Sequence, residues 1–416
     1  MKLTVIGGGS TYTPELADGL ARLNLPVGEL VLVDPDLDRL SAVGPVSARI
    51  MGRYGHPARV RWTSSLDDGL EGADSVLIQL RIGGQAARQR DETWPLDCGC
   101  IGQETTGAGG LAKALRTVPV VKGIAERTAR RASPYATIID FTNPVGIVTR
   151  ALLTGGYRAI GLCNVAIGFQ RGFAAMLGVE PERVALGHVG LNHLTWERSV
   201  TVDGTDRLPE LLDAHIKEIS DEIGLPVALV QSLGMVPSYY LRYYYAHDKV
   251  VGELRGARTR AEAVMEVEAE LLRQYADPAL DRKPEALSKR GGAFYSDAAV
   301  DLLVALTGSS DNPLVVNVTN GETLPFLPAD AVIEVSSRVD AEGVVPLPVS
   351  PVGPLLRGLI AHVYAYEELA LEAALHGGRQ RVYDALLAHP LVGQYDVAEC
   401  LTDRLLAENA RYLSWA

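Results

Sequence analysis

Residues 3–13 read Leu-Thr-Val-Ile-Gly-Gly-Gly-Ser-Thr-Tyr-Thr, and this stretch decides the fold of the chain. The four apolar residues predict a short buried strand, and the glycines after them predict a tight turn into a helix. A third glycine, expected at position 12, is replaced by Tyr12. Such a turn lets the backbone approach a pyrophosphate, while the following helix presents its first N–H groups to it. We therefore predict a dinucleotide site formed by Gly7, Gly8, Gly9, Ser10 and Thr11.

The end of the next apolar stretch indicates which dinucleotide is bound. Residues 30–33 predict a second strand, and Asp34 follows it, 27 residues after Gly7. A carboxylate at this position accepts hydrogen bonds from ribose hydroxyls and repels a 2′-phosphate, so we expect NAD rather than NADP. A turn without any ligand is the alternative, and the combination of strand, glycines and acid disfavours it.

Short apolar strands alternate with helical patterns through the first 160 residues. This alternation indicates a parallel sheet covered on both faces, so we predict an α/β fold with a Rossmann-like, doubly wound sheet. After about residue 165 the pattern changes to α+β, with antiparallel strands predicted over 184–190 and 194–202. We expect an NAD-binding domain over residues 1–165 and a C-terminal α+β domain over residues 166–416.

Composition and charge exclude several classes of protein. The chain has 416 residues, 47% of them hydrophobic, and a formal net charge of −12, which argues against nucleic acid or anionic membranes as general partners. No apolar run reaches ~18 residues, so no membrane span is expected. The four cysteines are too few for a disulfide scaffold and favour a reducing compartment. The apolar run at the N-terminus stops at Gly7 and is too short for a signal peptide, so we expect a cytoplasmic protein.

Four polar stretches are too specific to be explained by packing alone. They are residues 81–91, 102–110, 140–144 and 161–164, and three of them follow predicted strands. Ligands of open α/β sheets bind at the carboxyl ends of the strands, so we expect these stretches to converge on one crevice. The plainer interpretations are that Asn143-Pro144 is only a turn and that residues 102–110 form a flexible surface loop.

Cys163 and His193 are candidate metal ligands, but their spacing leaves the question open. They lie 30 residues apart, unlike the close pairs of local zinc motifs. A thiolate and an imidazole that meet through folding can hold a borderline divalent ion, with oxygen ligands and water completing the shell. From these two residues alone, an inert buried cysteine and a hydrogen-bonded histidine are favoured.

Five tyrosines lie within the seven residues 239–245. An amphipathic helix that buries aromatic rings in the core or in an interface explains most of them. A catalytic role needs only one tyrosine, whose phenolate is stabilised by a nearby cation and acts as a base.

Taken together, the motifs of this chain resemble those of glycoside hydrolase family four and follow the same order. The matching stretches are residues 7–16, 101–107, 141–144, 161–165, 190–194, 240–244, 289–292 with Tyr295-Ser296, and 388–391. The resemblance implies a 6-phosphoglycosidase that needs NAD and a divalent metal, typically Mn²⁺. It also implies a reaction by oxidation, elimination, addition and reduction, with no net redox and without the usual pair of carboxylates.

The same resemblance implies roles for individual residues. The metal ligands are expected to be Cys163 and His193. The general base that removes the sugar C2 proton is expected to be Tyr240, with Glu104 increasing its basicity. Substrate contacts are expected from Arg88, Asn143, Asn164 and Arg260, with Arg255 and Arg258 competing for the role of Arg260.

Position 164 bears on the stereochemistry of the substrate. The α-acting branch of the family tends to carry Asp after the metal cysteine, where it can serve as a general acid, whereas this chain has Asn164. An amide cannot donate a carboxyl proton, so we expect a 6-phospho-β-glucosidase. Its substrate would be a phosphorylated disaccharide, such as cellobiose 6-phosphate, or an aryl glucoside.

Three alternatives stay open on the sequence. One is a 6-phospho-α-glucosidase or α-galactosidase of the same family. Another is an NAD-dependent dehydrogenase of the lactate or malate type, although its catalytic histidine and arginine are not recognisable here. The third is a non-enzymatic NAD-sensing protein. Family habit predicts a homodimer or homotetramer, with the substrate, metal and oligomer contacts in the C-terminal domain.

Overall fold

The computed structural model describes residues 1–290, 294–308 and 312–415, so Gly291 and Gly292 of the 289–292 motif lie outside the described residues. The strands are β1 (Lys2–Ile6), β2 (Glu29–Val33), β3 (Arg59–Thr63), β4 (Ser75–Ile78), β5 (Thr137–Asp140), β6 (Ala159–Gly161), β7 (Val184–Leu191), β8 (Leu194–Val202), β9 (Thr205–Asp206), β10 (Val236–Pro237), β11 (Leu314–Thr319), β12 (Val332–Asp340) and β13 (Gly343–Pro346). The α-helices are α1 (Thr13–Arg22), α2 (Leu37–Arg53), α3 (Leu66–Leu70), α4 (Gly84–Asp97), α5 (Gly107–Arg131), α6 (Val145–Thr154), α7 (Val165–Leu177), α8 (Leu208–Ile223), α9 (Val227–Leu233), α10 (Arg242–Tyr245), α11 (His247–Arg255), α12 (Arg260–Tyr275), α13 (Tyr295–Leu306), α14 (Pro354–His376), α15 (Arg379–Ala388) and α16 (Tyr395–Asn409).

The first six strands form the parallel part of the sheet, in the order β3-β2-β1-β4-β5-β6. All five pairings between them are parallel, as predicted from the alternation of strands and helices in this part of the sequence. This is the strand order typical of dinucleotide-binding sheets, in which the order reverses between β1 and β4. The predicted α/β class with a Rossmann-like, doubly wound sheet is therefore confirmed.

The second half of the chain extends this sheet instead of building a separate one. Strand β11 pairs antiparallel with β6, and β12, β7, β8 and β10 follow in that order. The two predicted antiparallel strands pair with each other as β7 and β8, and a two-residue turn joins them. As a consequence, this turn lies close to the carboxyl end of β6, where the last strand of the parallel half stops.

Two helices differ from the sequence-based expectations. The alternative interpretation of residues 102–110 as a flexible surface loop is wrong, because residues 107–110 form the buried first turn of α5. A Cβ at Gly109 would lie 2.2 Å from the carbonyl oxygen of Gln103, so this turn packs too closely for a side chain. Helix α4 was not anticipated, because the polar sequence of residues 84–97 shows almost no apolar stripe. Its polar residues are used instead in buried ion pairs, such as Asp91 with Arg116.

One disulfide joins the end of α4 to α16, through Cys98 and Cys400, which lie 302 residues apart in the sequence. This cross-link does not fit the reducing compartment inferred from the low number of cysteines. The sequence gives no signal for it, because the two helices become neighbours only when both pack near α5. Cys100 and Cys163 remain free and buried. Among the described residues, no helix is long and apolar enough to cross a membrane.

We predict that the denatured protein, prepared in air without reductant, contains two titratable thiols per chain, and that reduction raises the number to four. The disulfide withholds Cys98 and Cys400 from the reagent, whereas Cys100 and Cys163 become accessible on unfolding. Titration with a chromogenic thiol reagent measures both numbers. The variant Cys98→Ser is the control and should show three thiols without reduction. Four thiols in the unreduced wild type would contradict the cross-link.

Candidate active site

The glycine turn after β1 is packed against the end of β2. The N–H groups of Gly7 and Gly8 both donate to the carbonyl oxygen of Val33, at 2.9 Å. Gly7 has a φ of +84°, and a Cβ at Gly8 would lie 2.7 Å from the Cβ of Leu32. These positions therefore require glycine, and the resulting turn gives a ligand close access to the backbone before α1 begins.

Asp34 lies beside this turn, as predicted. Its Oδ2 accepts the N–H of Gly9 at 3.0 Å, and its Oδ1 accepts the N–H of Asp36 at 3.0 Å. Burial raises the pKa of Asp34, while these two hydrogen bonds and Arg39 counteract that rise. The carboxylate thus lies at the edge of the glycine turn, where ribose hydroxyls of a dinucleotide would be placed.

Arg290 joins the same region, although sequence reasoning gave it no role. Its guanidinium lies 4.0 Å from the centre of the Tyr12 ring, and its Nε donates to Thr11 Oγ1 at 2.7 Å. The only signal for it was its position in the motif of residues 289–292. It supports the end of the glycine turn, where Tyr12 replaces the expected glycine.

Cys163 and His193 are brought together by the extended sheet. Cys163 follows β6, and His193 lies in the turn between β7 and β8 with a φ of +63°. Thr105 Oγ1 shares a 2.9 Å hydrogen bond with Nδ1 of His193, which leaves Nε2 for another partner. The Asn192 side chain lies close enough to the thiol of Cys163 to lower its pKa, against the effect of burial.

The protonation states of Cys163 and His193 suit the binding of a cation. Burial lowers the pKa of His193 to about 4, so its imidazole is neutral and can act as a ligand. Burial, followed by the charge of Glu334, raises the pKa of the Cys163 thiol, so its thiolate needs a cation as partner. Within the described residues no group of three His, Cys, Asp or Glu side chains surrounds a metal position. A thiol and an imidazole therefore fit a borderline divalent ion whose other ligands are substrate oxygens or water.

Tyr240 lies against this pair. Its ring stacks on the ring of His193, with centroids 3.6 Å apart and an angle of 7° between the planes. Burial raises the pKa of Tyr240 and outweighs the opposite effect of Arg88, so the arginine alone does not hold the phenolate. The neighbouring Tyr243 and Tyr244 are packed against apolar residues, as the core interpretation of this segment predicted.

Glu104 is buried next to Tyr240 and is surrounded by cations. Its carboxylate forms ion pairs with Arg81, with Arg88 at 3.2 Å and with Lys113 at 2.7 Å. Burial would raise the pKa of Glu104, but these three cations outweigh it and hold the pKa well below its usual value. Sequence reasoning missed Lys113, whose signal was a lysine within the apolar stretch Leu-Ala-Lys-Ala-Leu over residues 111–115.

A cavity of about 910 Å³ opens beside these groups, lined by Tyr240, Arg88 and the three competing arginines of residues 255–260. Arg258 forms an ion pair with Glu266. In contrast, Arg255 donates to the carbonyl oxygen of Leu96 at 3.1 Å, and Arg260 donates to that of Arg290 at 2.9 Å. Of the three, Arg255 and Arg260 therefore keep a positive charge that no described carboxylate balances.

The two predicted asparagine contacts follow strands β5 and β6. Asn143 comes after β5, and its buried Oδ1 has no hydrogen-bond partner among the described residues. An unpartnered buried amide oxygen is costly, so this atom is suited to a ligand hydroxyl. Asn164 directly follows Cys163 and precedes α7.

The glycine turn with its acid, and the thiol and imidazole beside a tyrosine, define a dinucleotide-binding α/β protein with a site suited to a divalent metal. The model of "Family 4 glycosyl hydrolase" matches residues 2–179, and that of "Family 4 glycosyl hydrolase C-terminal domain" matches residues 188–392. The chain therefore belongs to family 4 of the glycosyl hydrolases.

Relatives match the chain over nearly its full length. It is 38% identical to the probable 6-phospho-beta-glucosidase of Bacillus subtilis, over 99% of this chain and 97% of that protein. It is 30% identical to the phospho-alpha-glucosidase of Clostridium acetobutylicum, over 99% of this chain and 98% of that protein. The structure of the 6-phospho-beta glucosidase from Thermotoga maritima with manganese, NAD⁺ and glucose-6-phosphate superposes with a TM-score of 0.91, at 33% identity and 99% coverage of both chains.

We predict that Asp34→Asn weakens NAD⁺ binding about tenfold or more, because a hydrogen bond to a charged group contributes about 1.5–3 kcal/mol. The variant should also discriminate less against NADP⁺, since the amide does not repel a 2′-phosphate. Fluorescence titration with both dinucleotides measures the two constants. Asp36→Asn is the matched control and should bind NAD⁺ as the wild type does, because this exposed carboxylate caps α2. Unchanged NAD⁺ affinity in Asp34→Asn would contradict the assignment.

Proposed function

We propose that this protein hydrolyses 6-phospho-β-glucosides with the help of NAD and a divalent cation, Mn²⁺ in particular. The observation that carries the proposal is the stacking of Tyr240 on His193, beside Cys163. The proposed base thereby lies against one proposed metal ligand and near the other. The likeness to 6-phospho-beta-glucosidases over nearly the whole chain supports the same activity.

The two cofactors would be held by different parts of the sheet. The glycine turn and Asp34 would bind NAD, whereas Cys163 and His193 would bind the cation. When bound, NAD⁺ supplies a hydride acceptor for C3 of the sugar, and the cation a Lewis acid at the C2 and C3 oxygens, with no net redox over a turnover. Oxidation at C3 acidifies the C2 proton, so the next step is removal of this proton by a base.

Tyr240 is proposed as that base. Its hydroxyl is protonated in the buried site without an ion, but a cation held by His193, whose ring is 3.6 Å away, favours the phenolate. The negative charge of Glu104 raises the pKa of Tyr240, so the phenolate, once formed, is a stronger base. Loss of the C2 proton expels the aglycone, and water then adds to C1.

The preference for β-glucosides is supported by Asn164. This residue follows the proposed metal ligand Cys163, and its amide cannot protonate a leaving group as a carboxylic acid can. The higher identity to the β-acting relative than to the α-acting one agrees with this preference. Asn143, with its unpartnered Oδ1, is proposed as a contact to the sugar hydroxyls.

The phosphate of the substrate is proposed to bind at the arginine side of the cavity. Arg88 already pairs with Glu92 at 2.7 Å and with Glu104 at 3.2 Å, so much of its charge is balanced. Arg260 and Arg255 have no carboxylate partner among the described residues and line the same cavity. We therefore assign the main phosphate contact to Arg260, with Arg255 as its neighbour.

We also propose a cytoplasmic homodimer or homotetramer. A phosphorylated disaccharide that reaches the enzyme after a phosphorylating uptake step favours hydrolysis inside the cell, even though the Cys98–Cys400 disulfide is unusual for a reducing compartment. Light scattering of the purified protein tests the oligomeric state.

Turnover of p-nitrophenyl 6-phospho-β-glucoside should require both NAD⁺ and Mn²⁺. Removal of the phosphate from this substrate should lower kcat/KM at least about tenfold, because a charge-assisted hydrogen bond contributes about 1.5–3 kcal/mol. Arg260→Gln should reduce kcat/KM for the phosphorylated substrate and leave the unphosphorylated one nearly unchanged. Release of p-nitrophenol measures all three effects.

The same assay separates the alternatives. Faster turnover of the α-anomer would favour a 6-phospho-α-glucosidase, and equal rates on both glucosides would contradict the role of the phosphate. Stoichiometric consumption of NAD⁺ would favour a dehydrogenase of the lactate or malate type.

Tyr240→Phe should lose most of its activity while it still binds NAD⁺ and Mn²⁺, because phenylalanine cannot accept the C2 proton. For the wild type in D₂O, the product sugar should carry deuterium at C2, as seen by NMR. Tyr239→Phe is the matched control, since Tyr239 lines the same cavity without stacking on His193. A product without deuterium at C2 would overturn the elimination mechanism, since direct displacement at C1 does not involve that proton.

A further inference from the structure

A row of three buried ionisable side chains lies behind the proposed metal ligands. His188 of β7 is placed between two glutamates, with its Nδ1 2.6 Å from Glu197 and its Nε2 3.0 Å from Glu334. The three side chains are at most 1% exposed. They come from β7, β8 and β12, so the extended part of the sheet places them side by side.

The row carries a net negative charge. Burial would lower the pKa of His188, but Glu197 and Glu334 outweigh it and raise the pKa to about 10. The imidazole is therefore positively charged at neutral pH, and it balances only one of the two carboxylates. Within the described residues, Glu334 has no other ion-pair partner. Burying an unbalanced charge is costly unless a cation or several hydrogen bonds compensate it.

Glu334 connects this row to the metal ligands through Asn192. The second oxygen of Glu334 accepts N–H groups from Asn192 and Asn317, both at 2.8 Å. The Asn192 side chain also lies close enough to the thiol of Cys163 to lower its pKa, against the effect of burial, and the Asn192 backbone leads directly into His193. The carboxylate of Glu334 therefore holds Asn192, which lies near Cys163 and directly precedes His193.

We propose that Glu334 is a positioning residue for the divalent cation: it fixes Asn192 against Cys163, and its negative charge, placed beside Asn192, favours a cation at Cys163 and His193. This inference rests on the proposed metal dependence and adds to it a group that does not touch the metal. Glu197 has the opposite role in the row, since it neutralises His188 on the side away from Asn192. Groups behind metal ligands commonly contribute about 10–100-fold to metal affinity.

The test is direct Mn²⁺ binding to the protein without substrate, measured by the electron paramagnetic resonance signal of free Mn²⁺. Glu334→Gln should weaken binding about 10–100-fold, because the charge next to Asn192 is lost. Asn192→Leu should weaken it to a similar extent, because the link from the carboxylate to Cys163 is lost. Glu197→Gln is the matched control: it removes an equally buried carboxylate from the same histidine, and its affinity should change less than about threefold.

Three further measurements separate positioning from general loss of structure. Thermal unfolding and NAD⁺ titration report whether each variant is folded. If Glu334→Gln does not fold, the Mn²⁺ affinities of Asn192→Leu and Glu334→Asp test the proposal instead. Glu334→Asp keeps the charge and should recover part of the affinity. With Co²⁺ in place of Mn²⁺, the thiolate-to-cobalt absorption band of the wild type should weaken in Asn192→Leu and persist in Glu197→Gln.

The outcomes distinguish this inference from the proposed function. A wild-type protein that binds no Mn²⁺ would overturn both proposals. If the wild type binds Mn²⁺ and folded Glu334→Gln and Asn192→Leu bind it equally well, only the role of Glu334 is overturned. Equal weakening by Glu197→Gln and Glu334→Gln would also overturn it, because the effect would then come from net charge and not from the contact with Asn192.

Discussion

The antiparallel pairing of β11 with β6 is the constraint on which the site depends. Asn317 of β11 lies opposite Gly161, the last residue of the parallel half of the sheet. A Cβ at Gly161 would lie 2.8 Å from the Cβ of Asn317 and 2.2 Å from the hydroxyl of Thr149, so the approach requires glycine. Because β12, β7 and β8 follow β11 in the same sheet, the turn that carries His193 reaches the end of β6. Cys163 and His193 are neighbours for that reason.

Two groups of buried charges act on the Tyr240–His193 stack. The carboxylate of Glu104 is paired with Arg81, Arg88 and Lys113, and it acts on both rings. The row of His188, Glu197 and Glu334 has one negative charge in excess, and the charge of Glu334 acts on His193. The excess negative charge of this row suits a metal cation at His193.

The parallel half of the fold was predictable because its signals are local. Most of its strands are short apolar runs that alternate with helical patterns, and the glycine turn with Asp34 indicates the dinucleotide site. Helix α4 and the buried turn at 107–110 are not predictable from local sequence. The polar residues of α4 form ion pairs with distant parts of the chain, and the glycines of the turn pack closely against other backbone segments. The division at residue 165 stays a prediction.

The site was less predictable from the residues alone. The spacing of Cys163 and His193 left the metal open, and their roles and that of Tyr240 came from the family resemblance. The link between His188 and Glu334 spans 146 residues, so no local pattern indicates it. Arg255, Arg258 and Arg260 could not be ranked by sequence, because only their partners in the folded chain show which charges stay unbalanced.

The shared sheet also limits how such a protein can be recombined. Strand β6 hydrogen-bonds on one edge to the nucleotide-binding strands and on the other to β11, so it belongs to both halves. A chimera that joins residues 1–165 to the second half of a distant relative would have to preserve a small residue at 161 and its opposite strand. Exchange of parts between family members is therefore expected to succeed at surface helices and loops before it succeeds at this internal border.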